Sequence, residues 1–135
     1  MATRIIIKRV DTPPAGSLKD DIDFVSRSLG YFSQRDKQDT AGKIFRLLVR
    51  EACKSEGLSS DQIAEKLNLT RGAIIHHLNS FIDAGIVIRH RNLYRLRNRC
   101  LQKSIEEVKE DIDRIFLEML KIASEIDSQL GNFYR

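Results

Sequence analysis

Arginine is concentrated in one stretch of the sequence. Residues 70–100 hold a single acidic side chain, Asp83, against six arginines: Arg71, Arg89, Arg91, Arg95, Arg97 and Arg99. Charge is also segregated along the whole chain, because residues 1–100 carry a net charge of +7 and residues 101–135 a net charge of −3. Guanidinium groups bind phosphate and carboxylate oxygens, so a basic stripe of this density indicates a polyanionic partner.

Histidine and cysteine are the other side chains whose type suggests chemistry. His76 and His77 are adjacent, and adjacent residues of a helix point about 100° apart, whereas metal ligands are spaced three or four residues apart. Cys53 and Cys100 are the only cysteines, too few for a disulfide scaffold or a four-thiolate metal site. We therefore expect no metal, with Cys53 in the core and Cys100 as a hypothetical redox-sensitive position.

Enzyme and membrane classes find no support in the sequence. Glycine-rich phosphate loops, zinc-protease helices and nucleophile elbows are absent, so we expect neither catalysis nor a cofactor. No apolar run approaches the roughly 20 residues of a membrane helix. With 135 residues, 41% of them hydrophobic, the chain is expected to be a soluble cytoplasmic protein with a real core.

The arginine-rich stretch begins on a predicted pair of helices. Ser59 and Gln62 form a capping signature for a short helix that ends at Asn68, a residue that tolerates the left-handed conformation of a tight turn. Thr70 then caps a longer helix, which ends near Gly85. The inner face of that helix is Ile74, Leu78 and Phe81. A short helix, a tight turn and a longer helix make a helix-turn-helix.

After Gly85 the spacing of apolar residues changes from that of a helix to that of extended strands. Two β-rich runs, Ile86–His90 and Leu93–Arg97, flank the tight turn Arg91-Asn92, which predicts a hairpin. Its apolar side chains are expected to cover the core while the arginines project outward. A hairpin directly behind such a helix is a wing, and the basic residues assigned to it are Arg89, His90, Arg91, Arg95 and Arg97.

The elements before the helix-turn-helix are less regular. Residues 4–9 predict a short strand and residues 11–16 a break with two prolines. Leu18, Ile22, Val25 and Leu29 predict a first helix that begins after Ser17. A polar stretch, Ser33 to Asp39, leads to a second helix over residues 40–56. We divide the chain into an N-terminal segment (1–16), a winged helix-turn-helix domain (17–100) and a C-terminal helix (101–135).

The last segment predicts one long helix with an apolar heptad repeat. Its seam recurs at alternating spacings of four and three residues: Leu101, Ile105, Val108, Ile112, Ile115, Met119, Ile122 and Ile126. Such a seam must be buried, and pairing with a second copy of the chain is the economical solution. Phe116, Leu120 and Ala123 widen the stripe, so a bundle that includes the first helix, or a higher oligomer, stays open.

The run from Ile63 to Val87 resembles a known family. It contains Thr70-Arg71-Gly72, His76-His77-Leu78 and Ala84-Gly85-Ile86-Val87, and together with the basic hairpin it resembles the winged helix-turn-helix of ArsR-like transcription regulators. The resemblance covers residues 40–97. It implies a homodimer that binds operator-like double-stranded DNA through two recognition helices, often as a repressor. Metal-sensing members carry a Cys-x-Cys pair that this chain lacks.

Within this resemblance the second helix of the motif is the recognition helix. Its N-terminal residues that do not face the core are expected to contact DNA: Thr70, Arg71, Gly72, Ile75, His76 and Asn79. Arg71 suits guanine or a phosphate, and an exposed Ile75 suits a thymine methyl. The fold class expected is mainly α with a small β-hairpin, and the function expected is a homodimeric DNA-binding regulator. The alternatives are a winged-helix module for a protein or RNA partner and a sequence-tolerant chromatin-type DNA binder.

Overall fold

The computed structural model describes residues 2–30 and 38–132. Within them the elements run α1 (Leu18–Ser28), α2 (Thr40–Glu51), α3 (Ser60–Leu67), α4 (Arg71–Asp83), β1 (Val87–His90), β2 (Leu93–Leu96) and α5 (Leu101–Leu130). The strands β1 and β2 form an antiparallel hairpin in which Val87 faces Leu96 and His90 faces Leu93. The fold class predicted from the sequence is therefore confirmed, including the long last helix. Of the predicted polar connection, residues 33–37 lie outside the described residues.

An apolar core lies where α2, α3, α4 and the hairpin meet. Its largest fully buried side chains include Ile44, Phe45, Leu48, Ile63, Ile74, Leu78, Phe81, Ile86 and Leu96. The rings of Phe45 and Phe81 pack edge to face with their centroids 6.1 Å apart, an arrangement that the quadrupoles of aromatic rings favour. The inner face predicted for α4, Ile74, Leu78 and Phe81, is thus the face that packs into the core.

Local capping determines where α3 and α4 begin. The Ser59 hydroxyl accepts from the backbone N–H of Gln62 at 3.1 Å, and the Gln62 side chain accepts from the Ser59 N–H at 2.9 Å. The two helices are joined through Asn68, whose φ of 53° is left-handed. Thr70 then caps α4. The predicted helix-turn-helix is therefore confirmed. The side-chain bonds fix the helix starts because they satisfy backbone N–H groups that have no partner within the helix.

The end of α2 differs from its prediction. The helix ends at Glu51, five residues earlier than expected, because Leu58 must pair with Tyr94 beside β2 through backbone bonds of 3.0 and 2.7 Å. Gly57 makes this approach possible, since a Cβ there would lie 2.7 Å from the Tyr94 carbonyl oxygen. Cys53 therefore lies outside the core. It is exposed, and its thiol donates to the Arg99 carbonyl oxygen at 3.1 Å.

Residues 4–9 form an irregular segment and not the predicted strand. Its Arg4 N–H and that of the preceding Thr3 donate to the Asp83 carbonyl oxygen, and its Lys8 N–H donates to the Ser28 carbonyl oxygen, at 2.8 to 2.9 Å. Carbonyl oxygens in the last turn of a helix lack partners within the helix, so they accept hydrogen bonds from N–H groups of this segment. Leu18, predicted on the inner face of α1, is 65% exposed, whereas Ile22 and Ser26 farther along the helix are buried.

Asp111 attaches α5 to the rest of the fold. Its side chain is 2% exposed and accepts hydrogen bonds from Arg97 at 2.5 and 3.3 Å, from the Arg114 guanidinium and from the Ala2 N–H at 3.2 Å. The hydrogen bond from Arg97 lowers the pKa of Asp111 against the opposing effect of burial. The carboxylate is therefore held charged where it is shielded from water.

We expect Asp111→Asn to lower the free energy of unfolding at pH 7 by about 3 kcal/mol, because Arg97 and Arg114 lose their counter-charge. Since the folded pKa of Asp111 lies below its unfolded value of about 3.9, the stabilisation is complete above that value and is lost as the pH falls through the folded pKa. Urea unfolding of both proteins from pH 7 downward measures this.

Asp113→Asn is the matched control. Asp113 is 59% exposed and pairs with Lys109 in the preceding turn, so its loss should change the free energy of unfolding by less than about 0.5 kcal/mol. A difference between wild type and Asp111→Asn that stays constant across the acidic range would contradict the assignment of the stabilisation to the charged carboxylate.

Candidate DNA interface

The N-terminal half of α4 presents a polar face to solvent. Burial of Ile74, Leu78 and Phe81 on one side of the helix leaves most of the predicted recognition positions exposed: Thr70, Arg71, Gly72, His76 and Asn79. Ile75, predicted to be exposed, is half-buried and packs against the core. Its position next to Ile74 places it at the edge of the polar face, where its outer atoms border the exposed residues.

The start of α4 is chemically suited to an anion. The amino end of a helix carries a partial positive charge, and Arg71 adds a full one at the first helical position. Its guanidinium lies 3.8 Å from the Asp61 carboxylate of α3, with the two side chains 69% and 78% exposed. Exposed pairs of this kind are weak, so Arg71 can exchange Asp61 for a phosphate or a base.

Gly72 is not required by packing within the chain. A Cβ built at this position meets no atom within 4 Å, and glycine destabilises a helix relative to alanine. The bare backbone therefore leaves open space directly at the positive end of α4, beside Arg71.

The tip of the hairpin is built to display charge. Arg91 and Asn92 both have positive φ, 53° and 65°, as in the two-residue turn whose twist matches a hairpin. Arg89 is held beside this tip, since its guanidinium donates to Asn92 Oδ1 at 2.6 Å and lies 5.6 Å from the centre of the Tyr94 ring. Arg89, His90 and Arg91 are all exposed.

Sequence reasoning missed the residues that hold Arg89. A signal was available, because once Arg91-Asn92 is taken as a two-residue turn, Arg89 and Tyr94 become direct cross-strand partners. The structure shows that pairing. The ring and the Asn92 amide together restrict a long side chain that would otherwise sample many rotamers in solvent.

The base of the hairpin differs from its tip. Arg97, predicted to point outward, is turned toward α5 and bound to Asp111, and its side chain is 19% exposed. Arg95 is half-buried and donates to the Leu96 carbonyl oxygen at 3.5 Å. The exposed arginines of the hairpin are thus those nearest the turn, Arg89 and Arg91, whereas Arg95 and Arg97 at its base contact the rest of the fold.

A shallow basic pocket of about 280 Å³ lies beside the hairpin base. It is lined by Lys54, Arg95, Arg99 and Cys53, among others. Arg95 and Arg99 belong to the arginine-rich stretch of the sequence, whereas Lys54 follows α2 and reaches the pocket through the fold. Local sequence pattern does not predict this meeting of distant residues.

Two searches of residues 2–30 and 38–132 concern metal ions and membranes. They contain no group of three or more His, Cys, Asp or Glu side chains placed to hold a metal ion. In the same ranges no helix has both the length and the apolar character needed to cross a bilayer.

Comparison with known proteins identifies the central part of the chain. Residues 39–88 match the family model of a winged helix-turn-helix DNA-binding domain, a span that begins at the residue capping α2 and ends within β1. No curated protein and no solved structure matches the chain. The resemblance to the ArsR-like subtype stays a prediction. The helices α2 to α4 and the hairpin that follows them therefore have the winged helix-turn-helix fold, and residues 39–88 among them are similar to DNA-binding domains of that type.

Proposed function

We propose that this protein is a sequence-specific regulator of transcription that binds double-stranded DNA as a cytoplasmic homodimer, and that it is not an enzyme. The observation that carries the proposal is the polar, exposed N-terminal half of α4, accompanied by a hairpin tip with two exposed arginines. A helix with such a face fits the major groove, and its outward side chains read base edges.

The two basic elements have different roles in this proposal. Arg71 forms paired hydrogen bonds to guanine or binds a phosphate, and Asn79 and His76 contact bases or backbone. Gly72 lets the start of α4 lie against the phosphates. The hairpin holds the flanking backbone, with Arg91 at the tip reaching the minor groove. Contacts of the hairpin with the DNA backbone add affinity and salt dependence but little discrimination between sequences.

The distal half of α5 supports the homodimer. Its large apolar side chains are between 45% and 69% exposed: Ile115, Phe116, Leu117, Met119, Leu120, Ile122, Ile126 and Leu130. An apolar stripe of this extent is typical of an interface. Most of these side chains share one face, so a second copy of α5 covers them in the way that the heptad repeat indicates.

The structure reduces the extent of the predicted seam. Val108 is 2% exposed, and Leu101, Ile105 and Ile112 are partly buried against the same core. These four residues pack within one protomer because α5 begins directly after the hairpin. Its first turns lie against the core, and only its later turns extend away from the core. The proposed interface therefore begins at Ile115.

A dimer with two-fold symmetry presents two copies of α4 to one face of the duplex. Recognition helices spaced about 34 Å apart read half-sites one helical turn apart. Bound at a promoter, the dimer excludes the polymerase, so we propose repression as the direction of control.

Gly72→Ala should separate stability from binding. It is expected to stabilise the protein by about 0.5 kcal/mol, because alanine favours the helix, yet to weaken DNA binding, because the methyl group holds the helix start away from the phosphates. Thermal unfolding and fluorescence anisotropy measure the two effects. Ser124→Ala, at an exposed position of α5, is the control that should leave binding alone. Unchanged affinity of Gly72→Ala would contradict the close approach.

The DNA sequence itself can be found by selecting bound duplexes from a random pool. We expect a palindromic site, on which Arg71→Ala binds more weakly by about 1 to 3 kcal/mol and with relaxed base preference. Arg91→Ala should instead weaken binding to all sequences and reduce the slope of log affinity against log salt by about 1. Lys109→Ala removes the same charge on α5 and should change neither property.

The outcomes of this selection discriminate between functions. Salt-sensitive binding with no recovered motif would contradict sequence-specific regulation and favour a chromatin-type DNA binder. No binding to any duplex would contradict the proposal as a whole. It would favour an RNA or protein as the partner of the basic face.

Ile122→Asp should give monomers in light scattering and sedimentation. The side chain is already 53% exposed, so the change should not unfold the protomer. Leu117→Asp is the matched control, because Leu117 is 69% exposed but lies about 140° around the helix from Ile122. It should leave the dimer intact. A wild-type protein that is monomeric at micromolar concentration would contradict the homodimer.

A further inference from the structure

We propose that Asp111 is a positioning residue that fixes the direction of α5 relative to the hairpin, and thereby the separation of the two α4 helices in the dimer. The inference rests on the proposed function, since it concerns how a dimer sets its half-site spacing. It assigns Asp111 and Arg97 a role in geometry and not in contact with DNA.

Asp111 lies where α5 changes from attached to free. Up to Ile112 the helix packs against the core, and from residue 113 onward every described side chain is exposed. The free part extends about 27 Å at 1.5 Å per residue. A small change of angle at Asp111 therefore becomes a large displacement at the far end, where the proposed partner binds.

Two polar contacts, seven residues apart on the same side of α5, hold it to the hairpin exit. Asp111 binds both terminal nitrogens of Arg97. Ser104, which is fully buried, accepts from the Asn98 N–H at 2.9 Å and lies 3.2 Å from the Asn98 carbonyl oxygen. Arg97 and Asn98 directly follow β2, so both contacts join α5 to the strand that leaves the hairpin.

These contacts restrict motion that apolar packing permits. Aliphatic side chains such as Ile105 and Ile112 can slide or rotate with little loss of contact, whereas a forked guanidinium–carboxylate pair requires one relative orientation. Asp111 also binds the Ala2 N–H at 3.2 Å, and the neighbouring Thr3 and Arg4 N–H groups bind the last turn of α4. The same carboxylate thus ties α5 to both DNA-binding elements.

The distance from the DNA-binding unit to the distal helix tests this directly. Spin labels carried by unnatural amino acids at Lys66 of α3 and Ser124 of α5, both exposed, report that distance in full-length protein. Dilution with excess unlabelled chain leaves one labelled protomer per dimer. We expect one narrow distance distribution in wild type and in Asp113→Ala, and a broadened distribution in Asp111→Ala.

Asp111→Asn provides a second variant if Asp111→Ala does not fold. It keeps the size of the side chain and one acceptor but loses the charge and the forked pairing, so its distribution should be broadened to a smaller degree. A wild-type width in a variant that circular dichroism shows to be folded would overturn the inference.

The effect on DNA is measured with paired half-sites at varied spacing, once the selected motif is known. We expect wild type to prefer one spacing and Asp111→Ala to bind several with similar affinity, at an unchanged salt slope. If Asp111 merely kept Arg97 away from phosphate, its removal would steepen the slope and preserve the preferred spacing, which would overturn the inference.

Failure of the proposed function gives a different result. If wild type shows no preference for paired half-sites, the dimeric regulator is contradicted. The label distances still decide whether Asp111 holds α5 in place, because they are measured without DNA.

Discussion

The rotation of α4 about its own axis is the constraint on which the candidate DNA-binding face depends. Ile74, Leu78 and Phe81 are almost completely buried, and an α-helix that buries residues at this spacing can expose only the opposite side. Because Thr70 also fixes where the helix begins, neither the rotation nor the start of α4 is free. The polar residues therefore reach solvent as a consequence of core packing.

Core packing of the hairpin likewise determines which arginines are exposed. Its cross-strand register puts Val87 and Leu96 into the core, so the strand residues nearest the core are committed to packing and those nearest the turn carry exposed charge. A change of register by one residue would exchange the two faces. The left-handed pair Arg91-Asn92 prevents that change, since a two-residue turn permits a single alignment of the strands.

Local signals in the sequence were enough to predict much of this arrangement. The capping pair Ser59 and Gln62, the turn at Asn68 and the spacing of Ile74, Leu78 and Phe81 act between near neighbours, so they can be read without knowledge of the fold. The features that escaped prediction depend on contacts between distant residues. Leu58 pairs with Tyr94 and shortens α2, and Arg97 finds a buried carboxylate 14 residues later. Periodicity carries no information about such partners, and for the same reason it could not divide the apolar seam of α5 into an attached and a free half.

The core formed by α2, α3, α4, the hairpin and the first turns of α5 is complete within one chain. We therefore expect a protomer to fold without a partner, unlike an obligate dimer whose stability is inseparable from protein concentration. Assembly through the free part of α5 would then be a separate equilibrium. Where protomers are mostly unpaired, occupancy of a dimeric DNA site rises with the square of their concentration, so doubling the amount of protein would raise it about fourfold at low occupancy. In the proposed homodimeric regulator, this equilibrium would make the response at a promoter steeper than the change in the amount of protein.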